Sequence, residues 1–188
     1  MSNWTHVAGI IRVDSIFGQI SSVDRIRSII GKELDYNSSN DEWDNFDKHS
    51  EEYLPCGSEG SLHATIWENP NKSSAAAYMV SIFGDLRDHD SATDIIKWFR
   101  NKTLMLDLAS CGVRNACVTA SNECFGIKNW TYNENAVRQF FNESNEFAIL
   151  ISDDIGMNIY LENGTIVDFN DTDEGNALNY LKNLGYRV

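Results

Sequence analysis

Residue types that serve acid–base and metal chemistry cluster in one short stretch of the chain, Asp85, Arg87, Asp88, His89 and Asp90. Carboxylates at this spacing could hold a divalent cation, and Asp85, Asp88 and His89 are the one group that could serve an enzyme acting on nucleotides. The stretch lacks the spacing and closing glutamate of an EF-hand. Helix capping with an Arg–Asp pair is therefore favoured over a metal site.

The other chemical signals are weaker. Gly57, Ser58, Gly60 and Ser61 belong to a loop whose backbone N–H groups could form an anion nest. The loop lacks the Lys-Ser/Thr ending and following helix of a P-loop, which favours a plain tight turn. The histidines have no metal-ligand spacing, and no Gly-x-Ser-x-Gly motif is present. We therefore predict no catalytic residue, no metal and no cofactor.

The elements that would position a binding site follow the order strand, helix, strand, strand, helix, strand. This order predicts an α+β domain at 1–125 with a ferredoxin-like βαββαβ antiparallel sheet. Apolar alternation and capping signals place these elements, in chain order, at 6–13, 22–34, 62–67, 76–83, 92–108 and 114–121. Both helices are expected on one face of a four-stranded sheet.

Residues 126–188 are predicted to form an appendage packed on this core. Asn133 is predicted to cap a helix that carries Val137, Phe140 and Phe141. Strands are expected at 147–151 and 157–161. Glu162-Asn163-Gly164 indicates a hairpin turn into a strand at 165–169, and a last helix follows. The appendage thus reads as helix, β-hairpin and helix.

Strand alternation projects Arg12, His63, Trp67 and Thr119 onto the sheet face opposite the two helices. That face is either solvated, covered by the appendage, or used for binding. A cation, an aromatic surface and hydroxyls suit a nucleotide-like ligand. The predicted ligand-binding residues are Arg12, Gly57, Ser58, Gly60, Ser61, His63 and Trp67.

An acidic insertion at 35–56 is the most distinctive segment. It carries seven acids and one lysine, interleaved with aromatic residues, which favours an ordered excursion over disorder. It is either a solvated insertion or a docking surface for a basic host protein. In the second case its carboxylates would mimic phosphates, and the contacts would be Asp41, Glu42, Trp43, Asp44 and Asp47.

Composition narrows the class of partner. The net charge of −13 argues against direct nucleic-acid binding and against anionic membranes. Four cysteines without a Cys-x-x-Cys pair, and no visible targeting segment, predict thiols in a reducing compartment. No apolar run is long enough to span a bilayer. The sequence leaves homo-oligomer formation open.

Three segments resemble a group of uncharacterised tailed-phage proteins: Trp4 to Arg12, Gly57 to Leu62, and Phe83 to Asp88. The resemblance covers residues 4–120. It implies a viral origin and expression in the cytoplasm of a bacterial host. Small phage proteins without enzymatic motifs often counter host defence, so the resemblance implies a non-enzymatic counter-defence protein. The alternatives are sequestration of a nucleotide-like signal, inhibition of a host defence protein by the acidic segment, and an enzyme acting on nucleotides.

Overall fold

The structure is a computed structural model that describes residues 3–15, 23–33, 53–68, 76–89, 91–124, 126–169 and 174–188. These residues form nine strands and three α-helices. The chain divides into two compact units, Met1–Tyr132 and Asn133–Val188. The sequence placed this boundary after residue 125.

The first unit is an antiparallel sheet with two helices. Its elements are β1 (Trp4–Ser15), α1 (Val23–Ile30), β2 (Leu62–Glu68), β3 (Ala76–Arg87), α2 (Ala92–Leu106), β4 (Val113–Asn122) and β5 (Gly126–Thr131). The strand order is β2-β3-β1-β4-β5, and each neighbouring pair is antiparallel. A single π-helical turn, Asp107–Cys111, joins α2 to β4.

Both helices pack on the same face of this sheet. On β1, Val7, Ile11 and Val13 alternate with exposed residues and are buried, as a strand with one covered face requires. A Cβ atom on Gly9 would lie 2.6 Å from the Phe99 ring of α2, so the glycine lets this helix approach the sheet closely. Ile26 and Ile30 of α1 are buried as well.

The α+β class predicted from the sequence is confirmed, but the predicted sheet is incomplete. β5 extends it to five strands, so the strand order differs from the four-stranded expectation. The sequence missed β5 because only Trp130 in it is buried, which leaves no alternating apolar pattern. Trp130 packs edge-on against Phe99, with ring centroids 6.0 Å apart.

The second unit is a four-stranded antiparallel sheet with one helix. Its elements are β6 (Val137–Phe141), β7 (Phe147–Asp153), β8 (Gly156–Leu161), β9 (Ile166–Phe169) and α3 (Glu174–Asn183). The strands follow the order β6-β7-β8-β9. Its core consists of Ala148, Leu150, Met157, Ile159, Ala177, Leu181 and Tyr186.

The helix predicted after Asn133 is wrong. Asn133 does cap a turn, by accepting the N–H of Asn135 at 3.0 Å, but that turn is a 3₁₀ segment of three residues. The chain then enters β6, where Val137 pairs with Ile151. The apolar spacing of Val137, Phe140 and Phe141 is compatible with a helix or a strand. Pairing with β7 stabilises the strand, which β-branched and aromatic residues also favour.

The predicted hairpin turn at Glu162-Asn163-Gly164 joins β8 to β9. Gly164 adopts a φ of 86°, and the N–H of Leu161 donates to the Thr165 carbonyl at 2.9 Å. With β6 and β7, the hairpin forms a sheet of four strands. The predicted order of helix, hairpin and helix is therefore replaced by a sheet followed by one helix.

Candidate binding face

The face of the first unit's sheet opposite α1 and α2, which we call the open face, exposes large apolar side chains. Ile10 on β1 is 43% exposed, Met79 and Phe83 on β3 are 41% and 48%, and Trp67 on β2 is 62%. Single exposed apolar residues are ordinary, whereas a contiguous group of them typically marks a binding surface. The open face is therefore the first candidate for function.

The predicted residues Arg12 and Trp67 lie in one row across this face. Trp67 is opposite Met79, and Met79 is opposite Arg12. The backbones of β2 and β1 flank β3 and are therefore about 10 Å apart. An aromatic ring, a thioether and a guanidinium thus follow one another from strand to strand, a combination that suits a flat ring bearing a negative charge.

His63 lies on the same face but is already engaged. Its Nδ1 is 3.2 Å from a carboxylate oxygen of Glu33, whose other oxygen accepts the N–H of Ala64 at 3.0 Å. The His63 ring is also 5.9 Å from that of Phe83. Since His63 is four residues from Trp67 on β2, their Cα atoms are separated by roughly 13 Å. His63 and Phe83 form a second aromatic position beside the Trp67 row.

The glycine loop lies at the other end of β3. The N–H of Gly57 donates to Gly60 O at 2.9 Å, and the N–H of Ser58 donates to Arg87 O at 2.8 Å. A Cβ atom on Gly57 would lie 2.2 Å from Arg87 O, so the glycine permits close contact between the loop backbone and the backbone of β3. These two N–H groups therefore donate to protein carbonyls rather than to a bound anion.

The structure does not bring this loop to the row of Arg12 and Trp67. The loop contacts Arg87, whereas Trp67 is opposite Met79. Eight residues of strand separate those two positions by about 26 Å. Gly60 has a φ of 77°, and a Cβ atom on it would lie only 2.1 Å from Asp85 O. Ser61 is buried. Close packing accounts for these residues without a ligand.

The polar stretch at the end of β3 is a network of paired groups. His6 Nδ1 lies 2.6 Å from Asp85 Oδ1, and Arg87 pairs with Glu59. The backbone N–H of Asn3, the Ser58 hydroxyl and Arg87 hold the pKa of Asp88 below its usual range. His89 accepts the N–H of Ser91 at 3.4 Å. Among the described residues no three His, Cys, Asp or Glu side chains are placed to hold a metal ion.

A cavity of about 350 Å³ lies on the helix side of β2, away from the open face. It is lined by Arg27, Ile30, Gly31, Lys32, Glu33, Leu54, Ala64 and Ile66. Lys32, which lines this cavity, forms a parallel bridge with Tyr53. The predicted docking residues Asp41, Glu42, Trp43, Asp44 and Asp47, and the Asp90 considered for a metal, lie outside the described residues.

Sequence reasoning missed two groups on the open face. Met79 and Phe83 could have been found, since strand alternation places Tyr78, Val80 and Ile82 on one face of β3 and these two residues on the other. Arg114 could not, because its position depends on a register shift between β1 and β4. Arg114 Nε lies 3.4 Å from Asp14 Oδ2, and Arg12 Nε lies 3.4 Å from Asp14 Oδ1.

No protein-family model, curated protein or solved structure matches this chain. In the described part of the chain, no helix combines the length and apolar character needed to cross a membrane. The open face is therefore interpreted from its own geometry.

Proposed function

We propose that this is a non-enzymatic binding protein whose open face takes a nucleotide-like ligand. The base would stack on Trp67 beside Met79, and Arg12 would contact the phosphate. The observation that carries this proposal is the single cross-strand row in which a 62% exposed tryptophan and an arginine flank Met79. No cofactor is needed for this activity, and the bound ligand would be released chemically intact.

The expected affinity can be estimated from the contributions of individual contacts. Stacking of one base on an aromatic side chain contributes about 1–3 kcal/mol, and a hydrogen bond to a charged group about 1.5–3 kcal/mol. A micromolar complex corresponds to roughly −8 kcal/mol. Trp67 and Arg12 alone fall short of that value, so Met79, Phe83 and further charged contacts would supply the remainder.

A biological role follows from the resemblance to tailed-phage proteins. We propose that the chain acts in the bacterial host cytoplasm and counters defence by sequestering a nucleotide signal. We also propose that the first unit is a ferredoxin-like βαββαβ core to which β5 adds an edge strand. The element order up to β4 and the shared face of α1 and α2 support this relationship.

Calorimetric titration of the full chain with ADP, GDP, CDP and UDP tests the proposal. Trp67→Ala and Arg12→Ala should each weaken binding of the preferred nucleotide about tenfold or more. Ile127→Ala and Arg138→Ala are matched controls: Ile127 is an apolar residue 66% exposed on β5, and Arg138 is an exposed arginine of the second unit. Unchanged affinity in both test variants, or recovery of a hydrolysed nucleotide, would overturn the proposal.

The acidic segment supports an alternative function, inhibition of a basic host protein by phosphate mimicry. It carries much of the net charge of −13. Binding through surface charges weakens steeply with ionic strength, whereas stacking weakens less. Lysine replacement of Asp41, Glu42 and Asp44 should abolish partner binding in the mimicry case and leave nucleotide titrations unchanged in the stacking case.

A further inference from the structure

We infer that Arg12 and Arg114 form a two-arginine site for a terminal phosphate or diphosphate, held in position by Asp14. The inference rests on the proposed function, because it assigns the phosphate end of the same ligand. It adds a residue that the sequence did not single out and a preference for phosphate monoesters over diesters.

The carboxylate of Asp14 lies between the two guanidinium groups. Its two oxygens are each 3.4 Å from an arginine Nε, Oδ1 from Arg12 and Oδ2 from Arg114. The side chain of Asp14 is 20% exposed, whereas those of Arg12 and Arg114 are 55% and 51% exposed. A mostly covered acid thus orients two cations that remain open to solvent, and the three groups together carry a net charge of +1.

A β-bulge puts Arg114 on the open face. Arg12 pairs with Asn115 and Val13 with Val113, which leaves Arg114 as the extra residue of β4. Val113 and Ala116 are buried while Arg114 and Asn115 between them are both exposed. Regular alternation would direct one of these two side chains into the core. Bulges commonly redirect a side chain in this way next to binding sites.

The turn before β4 fixes this bulge against β1. Gly112 has a φ of 58°, in the left-handed region, and a Cβ on it would lie 2.6 Å from Asp14 O. The N–H of Asp14 donates to Gly112 O at 3.0 Å. Asp14 is therefore held through its backbone by Gly112 while its carboxylate contacts both arginines, so the two guanidinium groups share one anchored partner.

The remaining donors define the ligand. Each guanidinium has five N–H donors in a planar fork, and the contact with Asp14 uses the Nε of each. The two Nη groups of each fork supply further donors beyond this contact. A terminal phosphate offers three oxygens and up to two negative charges, which match paired forks. A phosphodiester offers only one charge.

The position relative to Trp67 matches the proposed ligand. The row runs from Trp67 through Met79 and Arg12 to Asn115, and Arg114 precedes Asn115 on β4. With about 4.8 Å between neighbouring strands, the β4 end lies roughly 14 Å from the Trp67 strand. A base on Trp67 would thus place a terminal phosphate, rather than the ribose, near Arg114.

The test compares probes and variants on the full chain. Wild-type protein should bind the preferred nucleoside diphosphate more tightly than the matching nucleoside or 3′,5′-cyclic phosphate. Arg114→Ala should weaken diphosphate binding about tenfold and leave nucleoside binding unchanged. Arg114→Lys keeps the charge but loses the fork, so it should restore only part of the affinity. Arg138→Ala, on the second unit, is the control.

Asp14→Asn gives a readout that a purely structural role would not produce. Asparagine keeps one oxygen acceptor for two guanidinium groups, so one arginine loses its partner and diphosphate binding should weaken severalfold even though the negative charge is removed. Asp14 is thus a positioning residue that acts through Arg12 and Arg114. Unchanged or tighter diphosphate binding in Asp14→Asn, in a protein with unchanged thermal unfolding, would contradict this role.

Inorganic pyrophosphate separates the two proposals. It should bind wild-type protein and Trp67→Ala equally, and Arg114→Ala more weakly. Pyrophosphate binding that depends on Arg114, without Trp67-dependent nucleotide binding, would overturn the proposed function and keep the two-arginine site. Nucleotide binding that depends on Trp67 but is unchanged in Arg114→Ala would overturn the site and keep the proposed function.

Discussion

Asp88, at the end of β3, illustrates how a chemically suggestive residue is accounted for by local structure. It adopts a φ of 54°, and its carboxylate accepts the N–H of Asn3 at 3.2 Å and the hydroxyl of Ser58 at 3.0 Å. These donors stabilise the charged form. Asp88 thus links the residue before β1 to the glycine loop, and that link accounts for its conformation.

The lowered pKa of Asp88 predicts a pH dependence of stability. Hydrogen bonds from Asn3 and Ser58, then the charge of Arg87, favour the carboxylate in the folded state. Because the pKa of Asp88 is lower in the folded protein than the value of about 3.9 in the unfolded chain, its carboxylate stabilises the fold at pH values above about 3.9. This stabilisation is lost as the pH falls through the pKa of the folded protein. Asp88→Asn should therefore lose stability at pH 7 and show a flatter decline in acid.

Urea unfolding at several pH values between about 2 and 7 measures this effect, given the range over which aspartates titrate. Asp154→Asn, at an exposed aspartate of the second unit, is the matched control and should follow the wild-type curve. Parallel curves for wild type and Asp88→Asn would show that the network around Asp88 does not contribute.

At the scale of elements, α2 has the local signals and the tertiary fit that a helix on a sheet needs. The Ser91 hydroxyl accepts the N–H of Thr93 at 3.1 Å, which caps the helix at its first turn. Phe99, at the centre of the helix, is fully buried and packs against Gly9 and Trp130. The cap sets where α2 begins, and the Phe99–Gly9 contact sets how closely it approaches β1.

Gly9→Ala should destabilise the first unit by about 1–3 kcal/mol, the usual cost of overpacking a filled core. The added methyl would lie 2.6 Å from Phe99 Cε2, so either the ring or the helix must move. Phe99→Leu removes that ring edge, and Gly9→Ala should therefore cost less in a Phe99→Leu background. Urea unfolding of the two single variants and the double variant measures the coupling, and strict additivity would contradict a direct clash.

The sequence predicts elements whose signals are local and misses those that depend on pairing. Helix α2 was expected at 92–108 and spans Ala92–Leu106, because its cap and apolar period lie within the segment itself. β6 was predicted as a helix because Val137, Phe140 and Phe141 fit both periods. β5 gave no signal, since only Trp130 of its residues is buried.

The residues of the candidate site also differ in whether local sequence signals or strand pairing reveal them. Arg12 and Trp67 could be assigned to one face from strand alternation, and register places them in one row. The glycine loop could not be located along β3 from sequence, since its partner Arg87 is distant in the chain. Arg114 required the bulge, which arises from the fit of β4 against β1 and Gly112.

At the scale of the whole molecule, each of the two units has its own sheet and its own buried residues. In the second unit, burial together with the charges of Glu146 and Glu162 raises the pKa of Tyr186, which packs into the core there. The apolar open face belongs to the first unit. In a chain with a net charge of −13, the pair Arg12 and Arg114 supplies the local positive charge that the proposed anionic ligand would need at this face.

A two-dimensional ¹H–¹⁵N correlation titration of the full chain with the preferred nucleoside diphosphate tests the central claim most directly. The largest shift changes should fall on Arg12, Trp67 with its indole N–H, Met79 and Arg114, with little change in the second unit. Trp67→Ala should make these changes much smaller at a ligand concentration near the Kd of the wild-type protein. Shift changes confined to the helix-side cavity or to the second unit, with the signals of the open face unmoved, would contradict the account.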